Sequence, residues 1–270
     1  MKEVWSITKH AQINGIKIPV FDLSGKVAIV TGGTKGLGYA ITTTLAAYGV
    51  KVVVASRTES DCVRVTESLN EQGFDTFPFP TDVTDVEKID VLVNAAVEKY
   101  GKLDIMINNA GSAVTKMAVD MTEQDWDQVL NLDLKACMFG AQAAAKEMIR
   151  AGNGGRIIHI ASMDGLVGAR AIAGYCAAKG GLINLTKALA LEWGKYSITV
   201  NCICPGYFKS EINSYMFKNE KWVNTITKHT AVGRVCELEE ITSAVVYLAS
   251  DYAGYTTGTH ILMDGGTTAQ

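Results

Sequence analysis

Lys26-Val-Ala-Ile-Val30 runs straight into Thr31-Gly-Gly-Thr-Lys-Gly-Leu-Gly38. A short β-branched run ending in a glycine-rich turn reads as a buried strand feeding a helix. Glycines there let backbone N–H groups come close to an anion, and the positive end of the next helix favours it. The turn alone also fits a tight structural bend. The rest of the chain decides between the two.

The same alternation repeats downstream. The pattern predicts a helix over about 38–48, a strand from Val50 to Ala55, and a helix from Thr58 to Gln72 stopped by Gly73. A strand Asp75–Pro80, a helix Val83–Tyr100 and a strand Leu103–Asn108 follow. A long helix over Thr122–Ala151 opens on a Thr-Glu-Gln-Asp cap and closes on Gly-Asn-Gly-Gly. Strands at Arg156–Ile160, Ile198–Ile203 and Thr259–Met263 alternate with helices at Ala173–Trp193 and Glu237–Leu248. Strands that are apolar throughout, each followed by a helix, imply a parallel sheet covered on both faces. The expected fold is α/β: a single-domain, Rossmann-like, doubly wound seven-stranded parallel sheet over 23–270, with a substrate lid at about 207–235. Residues 1–22 have no periodicity and read as an N-terminal extension, free to pack on a neighbouring subunit.

Composition narrows the function. The 270 residues are 48% hydrophobic with a net charge of −3, enough for a large core and without the basic patch of a nucleic-acid binder. No run approaches the roughly 18 apolar residues of a membrane span, and the N-terminus lacks a secretory apolar run. Cys62, Cys137, Cys176, Cys202, Cys204 and Cys236 match no zinc or disulfide spacing, so free thiols in a reducing cytoplasm are expected.

Tyr175 and Lys179 lie four residues apart on the helix beginning at Ala173, and so share a face. An ammonium beside a phenol favours the phenolate, so the tyrosine pKa is expected to fall toward the range of an acid–base catalyst. Ser162, at the end of a strand, can hold the oxygen of a carbonyl or alcohol. Tyr-x-x-x-Lys is common on solvated helix faces; here it follows a nucleotide-binding half-sheet, which gives it weight.

The second strand ends Val54-Ala55-Ser56-Arg57. A site that prefers NAD usually has an acid there for the ribose 2′-hydroxyl. Ser56 takes that place, Arg57 follows, and Lys35 lies inside the glycine turn. Two cations converging on a 2′-phosphate, with no acid opposing them, favour NADP(H). Arg57 as a plain surface charge is the alternative.

With these marks the chain resembles the short-chain dehydrogenases/reductases, in the single-domain branch. The resemblance runs from about Phe21 to the end and rests on Thr31-Gly-Gly-Thr-Lys-Gly-Leu-Gly38, Asp82-Val83, Asn108-Asn-Ala-Gly111, Ser162, Tyr175-x-x-x-Lys179 and Pro205-Gly206. It implies cofactor contacts from Gly32, Thr34, Lys35, Gly36, Leu37, Gly38, Ser56 and Arg57. Asp82 and Val83 would flank the adenine. Asn109, Ala110 and Gly111 would lie beside the adenosine ribose, and Tyr175 and Lys179 at the nicotinamide ribose. Pro205, Gly206, Phe208 and Ser210 would shape the nicotinamide end. The family's fourth catalytic group is usually an asparagine whose carbonyl holds a water against the lysine; Asp133 occupies that position here. By charge alone a carboxylate there favours a protonated lysine and opposes the phenolate. Family members pack as dimers or tetramers across the helices that hold Asp133 and Tyr175.

The reaction implied is reversible reduction of a ketone to a secondary alcohol by NADP(H). The stretches Asp125-Trp-Asp through Ala143-Ala-Ala-Lys and Ile160-Ala-Ser-Met resemble relatives acting on sugar acids. Asp133 and the N-terminal extension resemble relatives acting on polyols and ketoses. Against these stand Ile212, Tyr215, Met216, Phe217 and Trp222, whose bulk suits a hydroxysteroid or another apolar ketone, or packs the lid onto the body. Arg170 and Lys209 are candidate partners for a carboxylate or hydroxyls. A non-catalytic, nucleotide-binding scaffold is the remaining alternative, and the intact Ser162, Tyr175 and Lys179 argue against it.

Overall fold

The computed structural model describes residues 12–13, 16–17, 21–209 and 216–269. Seven strands form one sheet: β1 (Val27–Thr31), β2 (Lys51–Ser56), β3 (Thr76–Pro80), β4 (Ile105–Asn108), β5 (Gly155–Ile160), β6 (Ile198–Pro205) and β7 (His260–Met263). Their spatial order is β3-β2-β1-β4-β5-β6-β7, and every pair is parallel. This is the doubly wound sheet that the alternation predicts. The extension expected over residues 1–22 falls mostly outside the described residues; Gln12–Ile13 pairs antiparallel with Ile16–Lys17.

The helices are α1 (Gly36–Ala47), α2 (Glu59–Glu71), α3 (Val86–Tyr100), α4 (Glu123–Leu130), α5 (Ala136–Ala151), α6 (Ala173–Trp193), α7 (Glu220–His229) and α8 (Leu238–Ala249). Alternation along β1 serves both faces at once. Ala28 and Val30 pack with Leu37, Ile41 and Leu45 of α1 and Val245 of α8, whereas Ile29 packs with Ile89 and Leu92 of α3 and Ala144 of α5. Both faces are buried, which is why the strands read as unbroken apolar runs.

Strand order reverses between β1 and β4, and the crevice outside the strand ends at such a point is where ligands bind. Thr31 ties the two strands together there. Its Oγ1 donates to the Ile107 carbonyl (3.2 Å) and accepts from the N–H groups of Asn109 (3.0 Å) and Ala110 (3.1 Å).

The long helix expected over Thr122–Ala151 is present with one interruption. Thr122 and Asp125 form a reciprocal capping box at its start. Asn131–Lys135 then adopts a π-helical turn in which the Ala136 N–H reaches back to the Asn131 carbonyl. π-turns inside α-helices concentrate at functional sites, and this one carries Asp133. No described helix is long and apolar enough to cross a membrane.

Candidate functional site

The glycine turn joins β1 to α1 with Gly32 at φ +64° and Gly36 at φ +52°, backbone that side-chain-bearing residues rarely adopt. Gly38 is required for a different reason: a Cβ there would run into the Gly32 carbonyl and stand 2.5 Å from Asn109 Nδ2. Asn109 braces the same turn by donating to the Thr31 carbonyl at 2.8 Å. Thr34 is buried, and Leu37 sits in the core below. No side chain caps the N-terminus of α1, and no acid lies in its first turn. An open crevice edge, a backbone with no room for Cβ atoms and an uncapped positive helix end together fit a dinucleotide diphosphate.

The adenosine end corrects one expectation. Lys35 does not stand free beside Arg57: its Nζ lies 2.8 Å from Oδ2 of Asp61, in the first turn of α2. Asp61 also pairs with Arg64 at 3.3 Å, and the hydrogen bonds from Lys35 and then Arg64 hold its carboxyl below the usual range. So an acid does oppose Lys35, one turn beyond the position read from sequence. Ser56 ends β2, and its carbonyl accepts the Thr81 N–H at 2.9 Å. Arg57 is exposed. Burial raises the Asp82 carboxyl, but the Thr84 backbone and hydroxyl, with help from Arg57 and Lys88, outweigh it and hold the pKa low. Val83 is buried beside it.

The other end of the crevice is closed and built from four elements. Ser162 follows β5 and caps a single 3-10 turn, Met163–Gly165. Gly165 presses against α6, where a Cβ would stand 2.7 Å from the Lys179 backbone. Ser162 is near enough to the Tyr175 hydroxyl to draw the phenol's pKa down. Lys179 is 3% exposed and donates to the Ile160 carbonyl at 2.8 Å. Its Nζ is 3.0 Å from Asp133 Oδ1 and 5.5 Å from the centre of the Tyr175 ring. Asp133 is fully buried, and its other oxygen accepts the Ser112 N–H at 3.0 Å. Gly111 lies across the pair, with space for a Cβ only 2.5 Å from Asp133 Oδ1.

Two expectations about this end change. The tyrosine pKa does not fall. Burial pushes the phenol up, the Lys179 ammonium draws it partly back, and Asp133 adds to the rise. The aspartate also does more than offer a carbonyl to a water, since its carboxylate touches the lysine directly. Burial opposes the lysine's charge, but Tyr175 and Asp133 outweigh it and hold Lys179 protonated. Burial likewise pushes the Asp133 carboxyl up, against the pull of Lys179 and Ser112.

Beyond the trio, Pro205 ends β6, and Gly206 leaves no room for a Cβ beside the Asp264 backbone (2.6 Å). Phe208 bridges to Cys236. Ser210, Ile212 and Tyr215 lie outside the described residues. In the stretch expected to form a lid, Trp222 meets Phe217 and Tyr207 edge-on, with ring centres 5.2 and 5.9 Å apart, so these aromatics pack on one another. Arg170 and Lys209 are exposed. All six cysteines are free, and Cys202 and Cys204 are buried.

Sequence reasoning missed three groups. Asp61 lies beyond the strand end where an acid was sought. Lys116 pairs with Asp125 of the capping box, while its N–H binds the carbonyl of Ala171, a non-glycine at φ +66°. Asp164 follows Ser162 by two residues, and that spacing was the available signal.

The comparisons agree with this geometry. Residues 32–268 match the family model described as enoyl-(acyl carrier protein) reductase. The chain is similar to 2-dehydro-3-deoxy-D-gluconate 5-dehydrogenase of Escherichia coli (strain K12), 35% identical over 94% of this chain and 99% of that one. It is 33% identical to gluconate 5-dehydrogenase of Gluconobacter oxydans (strain 621H), over 92% and 97%. Among solved structures, a gluconate 5-dehydrogenase from Burkholderia cenocepacia J2315 in complex with NADP and tartrate superposes with a TM-score of 0.89 at 29% identity, covering 93% of this chain and 98% of that one. Sheet order, glycine turn, the Ser162, Tyr175 and Lys179 cluster and relatives converge, and the chain belongs to the short-chain dehydrogenases/reductases, oxidoreductases acting on CH–OH groups.

Proposed function

We propose that this protein interconverts a secondary alcohol and a ketone on a sugar-type substrate, a ketose, polyol or sugar acid, with NADP(H) as hydride carrier. The observation that carries the reading is the cluster of buried Ser162, Lys179 and Asp133 with the partly exposed Tyr175 at the closed end of a dinucleotide crevice. The relatives' names support the substrate class, and a structural neighbour's bound NADP supports the cofactor.

When bound, the nicotinamide ring supplies or accepts the hydride. The chain's residues handle the oxygen and the proton. Ser162 donates to the substrate oxygen and holds it against the Tyr175 hydroxyl. Tyr175, kept protonated by burial, gives its proton as negative charge develops on that oxygen. The phenolate left behind faces the Lys179 ammonium one helical turn away. Lys179 cannot drift, because the Ile160 carbonyl and the Asp133 carboxylate hold it from two sides. Glycines 32, 36 and 38 and the start of α1 receive the diphosphate, Asp82 and Val83 flank the adenine, and Asn109 to Gly111 line the ribose. Pro205, Gly206 and Phe208 would border the nicotinamide. Arg57 would meet the 2′-phosphate, joined by Lys35 once it leaves Asp61. The reading includes a cytoplasmic location and a dimer or tetramer.

The second reading, an apolar ketone, draws on Tyr207, Phe217 and Trp222. Their mutual packing in the lid accounts for them without a ligand, which favours the first. A spectrophotometric panel with NADPH and NADH tests both. Fructose, sorbose and keto-gluconates are expected to turn over with NADPH; turnover of keto-steroids alone would reverse the choice, and preference for NADH would remove NADP.

A further inference from the structure

The acid–base centre leaves one nearby carboxylate without a task. Asp164 lies in the turn that Ser162 caps, and the cap uses only its backbone: the Asp164 N–H donates to Ser162 Oγ at 3.1 Å. The turn therefore does not need a carboxylate at this position. Yet the side chain folds back, with Oδ2 3.4 Å from the same serine oxygen. It is half-buried, and no ion pair among the described residues includes it. Burial pushes its carboxyl up, with only the Ser162 hydroxyl drawing it back.

Its surroundings place it on the substrate side. Its charge acts on both Tyr175 and Tyr207, raising each phenol. Tyr175 is the proposed proton donor, and Tyr207 leads into the lid. The carboxylate thus lies against Ser162 Oγ, the group proposed to hold the substrate oxygen. A half-buried carboxylate with no cation costs stability, so a hydroxyl donor from the substrate is the partner its position calls for. Oxygens on neighbouring carbons of a sugar lie about one hydrogen-bond length apart. A substrate whose reacting oxygen rests on Ser162 therefore presents its neighbouring oxygen at Asp164.

We propose that Asp164 is a specificity-determining residue: its carboxylate accepts the hydroxyl on the carbon next to the reacting carbonyl, and repels a carboxylate at that place. The preferred substrates are α-hydroxyketones and the vicinal diols formed from them, whereas α-keto acids are rejected. A sugar acid remains acceptable when its carboxylate lies away from the reacting carbon. This rests on the proposed roles of Ser162 and Tyr175 and narrows the substrate class they serve.

The test compares kcat/KM with NADPH for the wild type, Asp164→Leu and Asp164→Asn on three sets of carbonyls. These are α-hydroxyketones (fructose, sorbose, 5-keto-gluconate), plain ketones (cyclohexanone, butanone) and α-keto acids (pyruvate, 2-oxobutyrate). NADPH binding followed by fluorescence establishes that each variant is folded. Losing a hydrogen bond to a charged group is expected to lower the ratio of hydroxyketone to plain-ketone kcat/KM about ten- to hundredfold in Asp164→Leu. Asp164→Asn, nearly isosteric and uncharged, keeps part of that ratio and gains about tenfold on the α-keto acids. An unmoved ratio in Asp164→Leu overturns the inference, whether both activities fall together or neither falls, because a role limited to orienting Ser162 treats both sets alike. A wild-type protein inactive on all three sets strikes the proposed function itself; an active one with an unmoved ratio strikes only Asp164.

Discussion

The two ends of the crevice hold charge in opposite ways. At the closed end, Lys179 and Asp133 are almost wholly buried, and each is held by a second contact from another element, the Ile160 carbonyl and the Ser112 N–H. At the open end, Lys35 and Asp61 pair at 2.8 Å with the lysine half in water, and Arg57 is exposed. A buried charge must be fully partnered, so its neighbours dictate its place. An exposed pair is screened and contributes little. In the proposed function the closed end therefore fixes the reaction, while the open end leaves the choice of cofactor to a few loosely held charges.

That contrast puts the largest expected losses at the closed end. Tyr175→Phe removes the proton donor while leaving the ring in its packing. Turnover is expected to fall about 10²–10⁴-fold, with NADPH binding, followed by fluorescence, largely kept. Near-normal turnover would remove Tyr175 from the acid–base role.

Asp133 breaks the comparison in another way. Asp133→Leu leaves Lys179 buried without its anion and is expected to destabilise the fold by about 3–5 kcal/mol, read as a lowered midpoint in urea. Asp133→Asn keeps the shape and removes the charge, so its readout is the pH profile. Tyr175 has a raised pKa, and its protonated form persists through neutrality. Reduction, which needs the phenol, is expected to hold at neutral pH and decline in the alkaline range; oxidation, which needs the phenolate, rises over the same range. Asp133 is one cause of the raised value, so Asp133→Asn is expected to move both inflections to lower pH. Unmoved inflections would make the carboxylate a structural anchor only.

The two ends were also unequally legible in the sequence. Strand–helix alternation exposed the sheet because both faces are buried, and burial on both faces writes unbroken apolar runs. Tyr175 and Lys179 were legible because a helix fixes their spacing. Asp133 was found by position, but not its π-turn or its direct contact with Lys179, which depend on how the interrupted helix packs against α6. The sign of the Tyr175 shift was missed because a local lysine is visible in sequence, whereas burial is a property of the whole fold. Asp61 escaped because its side chain returns to the crevice from the next helix, and no short motif records that return.

The open end takes the mildest test. Gly38→Ala there still carries a backbone collision with Gly32 and is expected to cost about 1–3 kcal/mol, together with cofactor binding. Asp61→Asn touches no backbone. It removes the anion that now occupies Lys35 and releases that ammonium toward the proposed 2′-phosphate. Exposed pairs contribute little, so KM for NADPH should drop by no more than about fivefold, with KM for NADH nearly still. The gain should fade as salt is raised, since screening weakens exposed charges first. An equal change for both cofactors would mean that Asp61 acts through the fold of α2 rather than through Lys35. The cofactor choice would then rest on Arg57 alone.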